Sequence, residues 1–537
     1  MILLAGYFDV MFRALIFIGL ALSVGGVIFY YFVLRPSEGE RTLRHAERRC
    51  ASLVAFGAFL VAISQFLTLV VTAAALADPS GQWPVADLLG TGFARAGMVH
   101  TGFAFCLGFA ALRLRGRTES RLAWALTSVF AVAVVVSGAW LTHGASRLEN
   151  APMLMAVSVI HQLAAAAWIG GLVHLTAQWR LLRAHPSAQD MWPRLLARFS
   201  PMALGSVAVV VTGGIYLYWQ YIYSLRGLIG TAYGTMLITK VALMGAALCL
   251  GGVNYLTIRA WKLNGDRREL VRRLPTFAEV EAAIGVVILM AAAALTGQPP
   301  SIDIPSQQAT PAEVAGVFQP KTPQLRPPPH AKMLATASSS LDPYAQPTEL
   351  SKVQSDFNHN VAGILVILIG LGALIHRWTR ARWTRHWPLL FMLLALFLLI
   401  IGEPNGWPLG PEGFWRTLAA PDVFTHRLAT LMVIVLGMVE WRVQLGTLAS
   451  TRWRYVFPIL CGVGGALLLT HTHSVLAIKR AFLIEASHNA IGILAVLLGA
   501  SGWLEMRLPG REGRIAGYIW PVCLTLVGVV LLFYRET

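Results

Sequence analysis

Charge is what this chain has least of. Only 13% of its 537 residues are Asp, Glu, Lys or Arg, against 56% hydrophobic. Uncharged runs recur from one end to the other, which excludes a soluble globular protein and indicates a polytopic membrane protein. Cysteine is sparse and unpatterned. Cys50, Cys106, Cys249, Cys461 and Cys523 have no CxxC spacing, so neither a disulfide framework nor a thiolate metal site is signalled, and they read as small apolar filler. No P-loop or acylphosphate motif is present, which argues against pumping driven by nucleotide hydrolysis. The first apolar span lacks the short core and small-residue cleavage site of a signal peptide and reads as a retained helix.

Apolar spans of about 20 residues predict an all-α fold of about fourteen transmembrane helices. They lie near 9–34, 50–77, 92–112, 123–142, 152–179, 200–222, 232–258, 277–297, 358–376, 388–402, 424–441, 455–472, 487–505 and 516–534. Between Gln298 and Ser355 the hydropathy collapses into a stretch rich in Pro, Ser, Gln and Thr. Such a composition buries too little apolar surface to fold alone, so an extended linker is expected. Three parts result: an eight-helix bundle over 1–297, the linker over 298–356, and a six-helix bundle over 357–537.

A net charge of +17 would suggest nucleic acid as a partner of a soluble protein. Here the cations alternate by loop. Most of the 43 Lys and Arg follow odd-numbered spans, as in "RTLRHAERR", "RLRGRTESR" and "RWTRARWTRHW". The positive-inside rule places those loops in the cytoplasm and both termini and the linker outside. No basic patch remains for nucleic acid.

One helix design recurs in the six-helix part. "FNHNVAGILVILIG", "FTHRLATLMVIVLG" and "ASHNAIGILAVLLG" each put a histidine (His359, His426, His488) eleven residues before a glycine (Gly370, Gly437, Gly499). Eleven residues make three helical turns plus about 20° and about 16 Å of rise, so each Gly lies under its His. By the loop alternation all three histidines begin their spans at the outer face. The motif "THTH" adds His471 and His473 where span twelve reaches that face. Five imidazoles at one depth suggest a shared copper, zinc or iron site, with the glycines permitting close helix packing. In the eight-helix part His143 ends span four outside, and His100 and His161 lie roughly 10–14 Å inside the outer end of their spans. His45, His174, His185, His376 and His386 read as ordinary residues at or near the basic face.

Met153 and Met155 stand on the outer approach to His161, and thioether with imidazole suits Cu(I) as well as Cu(II). Gap filling is the alternative for either Met. Lys240 lies about two turns inside span seven, where a charge is costly enough to suggest a role, snorkelling being the alternative. Asn254 and Glu281 are further polar groups within spans, and Asp9 and Arg13 pair at i,i+4.

From about His143 to Pro300 the chain resembles the CopD copper-resistance proteins of bacterial inner membranes. The resemblance rests on ordered pieces: "HQLAAAAWIGGL" with His161, Trp168, Gly170 and Gly171; "RFSPMALGSVAVVVTGGIYLYW"; "TAYGTMLITKVAL" with Lys240; "GGVNYLTIRA" with Asn254; and "EVEAAIGVVILMAAAALTGQPPS" with Glu281. His143 stands in "THGAS" where such proteins often have Gly-His-Ala, with Thr142 in place of the glycine. The resemblance implies a transport or tolerance protein rather than an enzyme, with copper received at the periplasmic face from a periplasmic copper carrier. Two other readings stay open. Facing histidines could hold b-type haem in a membrane redox protein, or the chain could be an assembly factor for a copper enzyme.

Overall fold

The computed structural model describes residues 2–35, 41–77, 81–184, 191–336, 348–470 and 478–536. Fourteen helices form the body: α1 (Leu4–Leu34), α2 (Arg44–Ala75), α3 (Gly92–Leu114), α4 (Arg121–Ala139), α5 (Ala151–Leu182), α6 (Met191–Tyr221), α7 (Ala232–Asn264), α8 (Leu274–Thr296), α9 (Glu349–Thr379), α10 (Leu389–Ile401), α11 (Pro421–Gln444), α12 (Val456–Leu469), α13 (Ile478–Arg507) and α14 (Gly510–Leu532). Their ends follow from local chemistry. The Thr91, Ser120 and Thr231 side chains accept the free amides that open α3, α4 and α7, satisfying donors that a helix start leaves orphaned. Gly265, at φ 71°, closes α7 in the left-handed region.

Among the described residues thirteen helices are long and apolar enough to cross a membrane, so the chain is an all-α, multi-pass membrane protein. The expected twelfth span is shorter than its sequence range. At 14 residues α12 rises about 21 Å, against about 30 Å of hydrocarbon. The tight turn Arg452–Tyr455 prolongs it at one end.

In the first half α1 packs on α2 and α8, α2 on α3, and α7 on α8; in the second, α13 lies against both α12 and α14, and α14 against α9. The halves meet where α13 contacts α7 and α8. Long-range polar contacts agree with alternating crossings. Arg273–Glu512 and Arg377–Glu505 join ends on the basic face, and Arg147–Asp303 and Ser355–Glu536 join ends on the opposite one.

The linker departs from the extended chain expected of it. Thr310 and Glu313 form a reciprocal cap that opens the helix Pro311–Phe318. Ala309 is buried with Phe482 and Ala486 of α13. The Ala309 amide donates to Gly230 O at 2.8 Å, Lys479 pairs with Glu313 at 2.7 Å, and the Gln324 amide donates to Asn360 Oδ1 at 2.7 Å. A second short helix, His330–Thr336, follows. Low hydropathy was the wrong guide here because the capping box and a few small apolar contacts with the bundles hold this segment in place.

Candidate functional site

Several polar groups descend from the linker-side face into the first half. His143 sits in the tight turn His143–Ser146 after α4, edge-on to Tyr221 with ring centroids 6.4 Å apart. Its Nε2 is buried without a hydrogen-bond partner. Burial, then the Arg13 cation and to a lesser degree Arg147, holds this imidazole below its ordinary pKa, which favours the neutral, ligating ring. Deeper, His100 is buried on α3 with Nδ1 3.0 Å from Ser137 Oγ. His161 on α5 packs against Gly213 of α6, where an added Cβ would come within 3.2 Å of Nδ1. That Nδ1 is buried without a partner, and Lys240 of α7 is close enough to act on the ring electrostatically. Met153 is 54% exposed and Met155 half-buried.

Seven residues below His161, two turns and on nearly the same face, α5 widens into a π-turn over Ala166–Gly170. Such turns recur at functional positions because they re-aim side chains. Here the cause lies in the packing with α1. A Cβ on Gly170 would stand 1.9 Å from Ala21 O, and one on Gly25 2.2 Å from Ala166 O, so only glycine lets the two backbones come this close. The turn directs buried Trp168 at Glu281 of α8. The indole Nε1 donates to Glu281 Oε1 at 3.1 Å, and Asn254 Nδ2 of α7 donates to Oε2 at 3.2 Å. Asn254 Oδ1 remains buried and unpartnered. Three helices thus bring a carboxylate, an amide and an indole together inside the bundle.

His174 corrects the sequence reading. It is fully buried, its Nε2 donates to Leu22 O at 2.9 Å, and it stacks on Phe29. Gly26 of α1 makes the room, since a Cβ there would meet the ring at 2.5 Å. Depth along α5 had suggested an interfacial residue. Its face decides otherwise.

In the second half the repeated helices bring two of the histidines together. The His359 and His488 rings lie 5.8 Å apart at 86°. Each Nδ1 faces the carbonyl four residues earlier, Ser355 O at 2.8 Å and Ile484 O at 2.9 Å. A carbonyl can only accept, so each Nδ1 carries the proton and each neutral ring keeps its lone pair on Nε2, as in metal-ligating histidines. Tyr534 stacks on His359 at 3.9 Å and donates to Glu536 Oε2 at 2.6 Å, which Ser355 Oγ also reaches at 2.9 Å. His426 sits 3.4 Å from Glu403, within electrostatic reach of both rings. His471 and His473 lie outside the described residues. Among the described residues no three His, Cys, Asp or Glu form a metal-binding group, so the five-histidine site is represented here by a pair. Gly370, Gly437 and Gly499 each face a neighbouring helix, α14, α10 and α12 respectively. Ser355, Tyr534 and Glu536 were missed in the sequence, as was Glu440, which is buried on α11 beside Gln444.

Residues 4–151 match the family described as Copper resistance protein D-like, N-terminal domain, and residues 193–295 match Copper resistance protein D. The first match contains His100 and His143, and the second Lys240, Asn254 and Glu281. His161, Trp168 and His174 fall between them, and the six-helix half lies beyond both. The chain is similar to the Copper transport protein CutJ of Bacillus subtilis (strain 168), with 26% identity over 301 residues, 53% of this chain and 52% of that protein. It therefore spans about half the length of that relative. No solved structure matches.

Proposed function

Because the chain belongs to the copper resistance protein D family through its first half, we propose that it carries copper across a bacterial inner membrane, taking the ion up with histidine at the periplasmic face, where both termini lie. The observation that carries this reading is the vertical arrangement on α5. An imidazole with an unpartnered buried Nδ1, His161, precedes by seven residues on α5 the Trp168 that, with Asn254, holds the Glu281 carboxylate. Neutral imidazole offers a lone pair to copper without a charge penalty. Deeper in the bilayer a cation is costly unless countered, and Glu281 is the group that can counter it. Asn254 Oδ1 faces no donor and is available as an oxygen ligand.

Copper passes by ligand exchange from His143 and His100, with Met153 or Met155 at the approach, to His161 beside Lys240, and on toward Glu281 and Asn254. A periplasmic copper carrier is the donor. The His359 and His488 pair, with His426 near it, serves as an accessory copper site that modulates delivery. Metal analysis and an absorption spectrum of the purified protein test the reading. Bound copper that falls in His161→Ala supports it. A Soret band would favour b-type haem, and a deletion that lowers the activity of one copper oxidase while cellular copper stays unchanged would favour an assembly factor.

A further inference from the structure

On the basic face a groove of about 540 Å³ opens along the seam between the halves. Arg180 of α5 and Arg183, which follows it, line one side, and Arg452 and Arg507 line the other. Four guanidinium groups face a single lining carboxylate. That carboxylate, Glu279 of α8, is already engaged: it lies 3.5 Å from Arg180, 3.3 Å from Arg507, and accepts from Trp503 Nε1 at 3.2 Å. Arg183 and Arg452 are exposed at the rim. The groove therefore holds an excess of positive charge with donors set for an anion, and arginine matches phosphate oxygens bidentately.

The wall beside the arginines is apolar. Ile459 of α12 lines the groove at 48% exposure, and Val463, one turn on and on the same face, is 44% exposed. Ile459 shares the groove with the guanidinium groups, so this strip starts beside them. A charged cage running into an apolar helix face fits an amphiphile better than a free ion. Basic pockets between transmembrane helices on the cytoplasmic side take lipid headgroups in this way.

We propose that this groove binds the phosphate headgroup of an anionic phospholipid, with one acyl chain along Ile459 and Val463, and that the bound lipid bridges α5 of the first half to α12 and α13 of the second. The site is independent of the copper reading.

The test uses the full-length protein in detergent, with native mass spectrometry to follow added phosphatidylglycerol, phosphatidylcholine or inorganic phosphate. Wild type should retain phosphatidylglycerol over phosphatidylcholine, and millimolar phosphate should not displace it. Arg183→Ala with Arg452→Ala should bind about 30-fold more weakly, two interfacial arginines being lost. Arg113→Ala with Arg115→Ala, exposed at the basic end of α3, should bind as wild type. If the alanine pair fails to fold, Arg183→Lys with Arg452→Lys keeps the charge, removes the bidentate fork, and should bind between the two. Equal binding of both lipids, undiminished binding by the rim variants, or displacement by phosphate alone would overturn the proposal, the last marking a small-anion site.

Discussion

Replacing Glu281 with glutamine separates the carboxylate's charge from its packing. Glutamine keeps the volume and one oxygen to accept from Trp168 Nε1. Its new amide would face Asn254 Nδ2, but Asn254 can turn over and present the Oδ1 that now lacks a partner. Two hydrogen bonds are then kept, now between neutral groups, and the unpartnered atom becomes the Asn254 amide instead of its oxygen, a net cost of about 1 kcal/mol. Alanine is harsher, since it strands two buried donors at about 1–3 kcal/mol each and opens a cavity as well. Thermal melting in detergent should therefore place Glu281→Gln near wild type and Glu281→Ala well below it. Copper flux should treat the two alike. Without a countercharge, a cation in the membrane interior costs about 2.5–3.5 kcal/mol, a rate loss of roughly 100-fold. Glu281→Gln that melts and transports like wild type would reduce the carboxylate to a structural acceptor. A melting point as low as that of Glu281→Ala would refute the compensating turn of Asn254.

Further outcomes follow from the same geometry. His174→Ala should destabilise the fold by about 2–4 kcal/mol through a cavity and the lost bond to Leu22 O, whereas His161→Ala should melt near wild type while losing copper. His359→Ala and His488→Ala should each remove the same bound copper by metal analysis, and Tyr534→Phe should keep it. Linker docking should vary with pH. The Lys479 bond, and then the Thr310 amide and hydroxyl, hold Glu313 at about 2, below its free value of 4.5. A carboxyl so depressed stabilises docking fully above the free value and loses that contribution as pH falls through about 2. Protection factors over 311–318, exchange rates corrected for their intrinsic pH dependence, should thus hold from pH 7 to 5 and fall below 4, and Glu313→Gln should remove the dependence. Reporter fusions at Ser339 and Thr537 should read as periplasmic and one at Gly446 as cytoplasmic; the reverse would invert the proposed direction of capture.

The helices were legible because hydropathy over 20 residues is set by the bilayer itself, and among the described residues thirteen of the fourteen expected spans reach crossing length, α12 being the exception. The eleven-residue spacing to glycine grouped His359, His426 and His488 but did not single out the pairing of His359 with His488. Their supports were not legible, since Tyr534 and Glu536 follow His359 by more than 170 residues in a terminus with no motif. Glu281 stood out as a carboxylate within a span, but its contact with Trp168 depends on a π-turn over Ala-Ala-Trp-Ile-Gly that no residue there announces. The cause sits on α1, at Gly25. His174 was misjudged for a related reason. Depth can be counted along one helix, whereas burial depends on what the neighbouring helix leaves open, here Gly26. The linker misled through composition, which reports whether a segment can fold alone and is silent on whether it can dock.

Copper flux into proteoliposomes that hold the full-length protein and an internal copper-sensitive dye tests the central claim most directly. Wild type should carry copper inward from the face bearing the linker, and His161→Ala, equally folded and inserted, should not. Flux undiminished in His161→Ala, or no flux in wild type above protein-free vesicles, would contradict it.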